Sequence, residues 1–117
     1  TKEKAIAEAR PFYEENMKMF APLGFIRGLT DDQIAATADP SRIHNAGLPT
    51  LEDAVESGSW MVGPAETVIE SLEKLQERYP GLKEVNVGSV VGTPQSVIVE
   101  QLDRFAQEVM PEFKNQG

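Results

Sequence analysis

Cysteine is missing from all 117 residues, so the chain can build neither a disulfide nor a thiolate metal site. That suits a reducing compartment, and the cytoplasm is the expected location. Positive charge is also scarce: 11 Lys and Arg stand against 19 Asp and Glu, a formal net charge of −8. Such a balance offers no field for a phosphodiester backbone or an anionic lipid surface, which argues against nucleic acid and membranes as partners. No apolar run approaches the roughly 18 residues of a spanning helix. The opening Thr1-Lys2-Glu3-Lys4 has no apolar stretch behind it to act as an export signal. Because the chain starts on Thr1 rather than methionine, further polypeptide is expected before it.

What the chain does contain is a local repeat. Val62-Gly63-Pro64-Ala65-Glu66-Thr67-Val68-Ile69 returns as Val91-Gly92-Thr93-Pro94-Gln95-Ser96-Val97-Ile98. The spacing is that of one strand plus one helix. Each copy follows an apolar, β-branched stretch and opens a helical pattern, the rhythm of a parallel α/β protein, in which function sits at the strand-to-helix turns. A closed eight-stranded α/β barrel needs about 250 residues, so this chain cannot be a whole one.

The periodicity divides the chain. Residues 1–24 read as a helix whose apolar stripe runs through Ile6, Ala9, Tyr13, Met17 and Phe20, with Pro11 expected to kink or split it. Residues 25–58 read as a lid-like loop region carrying two short helical turns, announced by capping patterns at Thr30-Asp31-Asp32-Gln33 and Thr50-Leu51-Glu52-Asp53. Residues 59–113 read as two strand-helix units. Ser59 to Val62 and Leu82 to Val87 are the strand candidates. The helix Pro64 to Tyr79 carries the stripe Val68, Leu72, Leu75 and Tyr79, and a last helix capped by Thr93 and closed by Pro111 carries Ile98, Leu102, Phe105 and Val109. Residues 114–117 read as a frayed tail.

Few residues carry chemistry. His44 is the sole histidine, in a polar loop, and reads either as a general base or ligand contact or as a solvated loop residue. Trp60, the sole tryptophan, stands where a strand should meet a turn and reads either as a cover for a flat ligand or as core packing. Ser89 and Thr93 flank a helix start, where free amides can hold an anion. The carboxylates Asp31, Asp32, Asp39, Glu52 and Asp53 lack calcium-loop spacing and read as helix-start charges, so no metal is expected. Neither glycine turn has the spacing of a phosphate loop.

The closing stretch Gly92-Thr93-Pro94-Gln95-Ser96-Val97, followed by Phe105-Ala106-Gln107-Glu108-Val109-Met110-Pro111, resembles the C-terminal end of the bacterial luciferase-like flavin-dependent monooxygenases. The preceding turn at Val62-Gly63, Glu66 and Val68 is similar as well, although Pro64 stands where that family has its capping threonine. The resemblance is specific over residues 60–113 and loose over 1–59. It implies the C-terminal part of a (β/α)8 TIM-type barrel, helix-rich with about two short parallel strands. It also implies oxidation of an organic substrate by dioxygen with reduced flavin, FMN supplied by a reductase, or a deazaflavin in some relatives. The residues holding flavin would then lie outside this chain. His44, Trp60 and Ser89 are left as the positions expected to approach a ligand, and no catalytic residue can be assigned. On this reading the isolated chain is inactive and associates with itself or with the missing N-terminal part. The alternative is a small standalone α/β module that binds a protein partner through its helix faces without catalysis.

Overall fold

The computed structural model describes residues 1–26 and 28–114. Residues 115–117, most of the expected tail, lie outside them. Among the described residues six α-helices follow in order: α1 (Lys2–Phe20), α2 (Asp31–Thr37), α3 (Leu51–Glu56), α4 (Ala65–Arg78), α5 (Gln95–Arg104) and α6 (Met110–Phe113). A 3-10 turn at Ile43–Asn45 separates α2 from α3, and a π-helical turn at Phe105–Val109 joins α5 to α6.

The expectation of a barrel portion with parallel strands is overturned: among the described residues there is no strand. Ser59 and Trp60 instead bend back over α3, the Trp60 N–H donating to Ala54 O at 3.1 Å. Residues 82–90 follow an irregular path with Leu82, Val85 and Val87 exposed. The physical reason is pairing. A β-branched run becomes a strand only when a neighbour takes its main-chain groups, and the fold brings none to either run.

The core is small and belongs to the first half. Tyr13 and Met17, one helical turn apart on α1, are buried against Leu51 and Ala54 of α3, and Ile6, Ala9, Leu48, Val55, Trp60 and Val62 pack around them. Leu51 is its only fully buried large side chain among the described residues, 1% exposed. The α1 stripe is therefore as the periodicity predicts, but Pro11 neither ends nor divides the helix. It stands on the exposed face, where solvent can serve the carbonyl that its missing N–H leaves open.

Both short helices start at their capping boxes. Thr30 and Gln33 exchange side-chain and backbone hydrogen bonds at the head of α2, and Thr50 and Asp53 do so at the head of α3. The last helix begins differently from expectation. Thr93 Oγ1 donates to Val90 O at 2.7 Å, and Pro94, which has no side-chain bond to give, occupies the cap position. Nor does Pro111 stop the chain's helical course, which continues to Phe113. Proline clashes with the carbonyl four residues back and cannot bond it. The turn widens ahead of it, and the Met110 N–H reaches the Phe105 carbonyl five residues back.

The second half packs lightly. α4 lies against the π turn, and each buries one residue, Leu72 and Val109, while α5 buries none. Gly63 opens α4 because the Thr67 side chain sits where a Cβ would be, 2.9 Å away. The result is elongated: 51 × 33 × 22 Å with a radius of gyration of 16.1 Å, against the roughly 13 Å of a compact domain this long.

Candidate functional site

A groove of 520 Å³ runs between α1 and the segment 43–51. Its floor is apolar, made by Tyr13, Met17, Ile43, Leu48 and Leu51. Its α1 wall is charged for a simple reason: Arg10, Glu14 and Lys18 are spaced by four and form the stripe next to the apolar one. His44, on the 3-10 turn, lines the opposite side and is exposed.

Local hydrogen bonds hold that side in place. Asp39 Oδ1 accepts from the Ser41 hydroxyl at 2.7 Å and the Ser41 N–H at 2.9 Å, and these bonds hold its carboxyl below the usual aspartate value. The Ile43 N–H donates to Asp39 O, which starts the turn carrying His44. Gln33 of α2 donates through Nε2 to Gly47 O at 3.0 Å, and Tyr13 donates its hydroxyl to Pro49 O at 2.7 Å. The polar segment read as a lid is thus tied to both α1 and α2.

Tyr13 connects the groove with Trp60. Its ring meets the indole edge-on, with centroids 5.1 Å apart and planes 80° to one another. Burial, and secondarily the charge of Asp53, pushes the Tyr13 phenol above its ordinary value. Trp60 is half-buried against the core cluster. Of the three residues singled out from the sequence, His44 therefore shares the groove with Tyr13, and Trp60 packs on the Tyr13 ring. Ser89 does not join them: it is exposed in the irregular run after α4 and lies outside the groove.

The groove's charges are largely engaged. Arg10 and Glu52 form a two-armed ion pair, one arm running from Nη1 to Oε2 at 3.3 Å and the other from Nη2 to Oε1. The bond to Glu52 raises the Arg10 guanidinium, and Arg10 holds the Glu52 carboxyl down. Lys18 pairs with Glu15 at 2.7 Å. Both pairs are exposed, so each adds little to stability. Among the described residues, no three His, Asp or Glu side chains converge as a metal set, and no helix is long and apolar enough to cross a membrane.

The sequence reading missed Arg10, Tyr13 and Lys18 as groove residues. The signal was present, since positions 10, 14 and 18 border the apolar stripe, but only the docking of α3 shows that this border faces a groove. No protein-family model, curated protein or solved structure matches the chain.

Proposed function

We propose that the chain is a portion of a flavin-dependent monooxygenase and that its α1 groove faces the organic substrate. Two observations support this reading. The stretches 92–97 and 105–111 resemble the closing residues of luciferase-like monooxygenases. The second support is the groove itself, whose apolar floor and single histidine suit a small organic molecule. Its volume lies within the roughly 300–1,000 Å³ of ligand pockets.

The groove does not fit a flavin mononucleotide. Arg10 and Lys18 are already paired with Glu52 and Glu15, and Glu14 stands between them, so the groove's two cationic side chains are committed and a phosphate there would meet a carboxylate. Reduced FMN, or a deazaflavin in its place, and dioxygen are assigned to polypeptide outside these residues, in a cytoplasmic protein. The polypeptide containing this chain is expected to reoxidise reduced FMN in air with product formed from an organic substrate, and His44→Ala to change the substrate KM. Absence of flavin turnover by that protein overturns the assignment. Saturable micromolar quenching of FMN fluorescence by the 117 residues alone overturns the placement of flavin elsewhere.

A second reading, an interaction module without chemistry, is favoured by one observation: α5 buries none of its residues and leaves Val97, Val99 and Leu102 exposed.

A further inference from the structure

Residues 82–90 read Leu-Lys-Glu-Val-Asn-Val-Gly-Ser-Val, and Leu82, Val85 and Val87 are exposed. At the ends of the run the main chain is engaged, the Leu82 N–H with Tyr79 O at 3.0 Å and Val90 O with the Thr93 N–H at 3.1 Å. Between them, among the described residues, the N–H groups of 83–89 donate to no other main-chain group. An open segment with exposed valines at alternate positions and unpaired main-chain groups is a template for a strand from another chain.

We propose that residues 82–90 pair with the same segment of a second copy, antiparallel, about a twofold axis at Asn86. The inference rests on the interaction-module reading and names its partner. Symmetry within the segment selects this occupant and this register. Around Asn86 the residues are self-complementary: Val85 faces Val87 of the second copy, Leu82 faces Val90, Glu84 faces Gly88 and Lys83 faces Ser89. Each apolar residue meets an apolar residue on its own face of the ribbon, and no like charges meet. An axis at Glu84 sets that carboxylate against its own copy, and one at Val85 sets Lys83 against Val87. Parallel in-register pairing opposes Lys83 with Lys83 and Glu84 with Glu84. A two-stranded ribbon is marginal alone, and the exposed Val97 and Leu102 of α5 supply further apolar surface for the dimer to cover.

The absence of cysteine makes the test direct. Across an antiparallel pair, facing Cβ atoms lie about 4.5–5.5 Å apart, close to disulfide range. N86C is expected to give an oxidised dimer about tenfold faster or more than S89C, because Ser89 faces Lys83 rather than itself. Sedimentation of the cysteine-free chain is expected to show a dimer, weakened about tenfold or more by V87K. It should be strengthened by salt, since each copy carries a net charge of −8. A chain that stays monomeric at about 1 mM overturns the pairing while leaving the module reading standing on α5. A dimer that V87K leaves intact and L102K dissolves overturns the role of the segment and supports that reading. Equal cross-linking of N86C and S89C overturns the register.

Discussion

Leu51→Ala tests where this protein keeps its stability. The substitution removes three carbons from the one large side chain that is 1% exposed, at the contact of α1 with α3. Lost transfer free energy is about 0.8 kcal/mol per carbon, or about 2.4 kcal/mol. A cavity term is added, but it stays at the low end, because Leu51 also borders the open groove and its neighbours Met17 and Leu48 can close in. The expected loss is about 3 kcal/mol. With a urea slope near 1.5 kcal/mol/M, the unfolding midpoint falls by about 2 M. Trp60, the only tryptophan, packs on this cluster, so its fluorescence reports the transition without a label. Leu51→Met keeps the volume and is expected to cost under about 1.5 kcal/mol. A loss under about 1 kcal/mol for Leu51→Ala would refute the claim that the α1–α3 contact is the core.

Tyr13→Phe deletes the hydroxyl bond to Pro49 O and is expected to cost about 1 kcal/mol, measured by the same unfolding titration. The Tyr13 phenol ionises less readily folded than unfolded, so its stabilisation is complete below about pH 10 and lost as pH rises through the folded value. Melting temperatures taken across that range should fall with pH in the parent and fall less in Tyr13→Phe. At the acid end, hydrogen bonds from the Thr50 N–H and hydroxyl hold Asp53 below its usual value, so its contribution is present above about pH 4 and lost as pH drops through the folded value. Thr50→Ala should remove about 1 kcal/mol at neutral pH, and Asp53→Asn, which removes the titrating carboxyl, should flatten the acid limb of a circular-dichroism titration; an unchanged acid limb in Asp53→Asn would show that Asp53 does not supply it.

The legible parts were those decided within a few residues. The stripe Ile6, Ala9, Tyr13 and Met17 marks the buried face of α1, and Thr30/Gln33 and Thr50/Asp53 mark two helix starts, because each interaction spans one turn of chain. Stripes misled where the predicted face had nothing to meet: Leu102 follows Ile98 in phase, yet remains exposed. Thr93 misled for a related reason, since its hydroxyl can serve either the helix ahead or the carbonyl behind, and the turn at Val90 takes it. Pro111 reads as a stop from sequence, whereas a single wide turn ahead of it lets the helix pass.

The sequence by itself determined the cysteine-free acidic character, the buried face of α1 and the capped starts of α2 and α3, since composition and one-turn contacts need no knowledge of the rest of the fold. Tertiary structure alone decided that the strand candidates at 59–62 and 82–87 form no strand, because strand formation depends on a neighbour that the chain must bring across space. It alone set Tyr13 between Trp60 and the groove of His44, residues drawn together from α1, the loop before α3 and the bend after it.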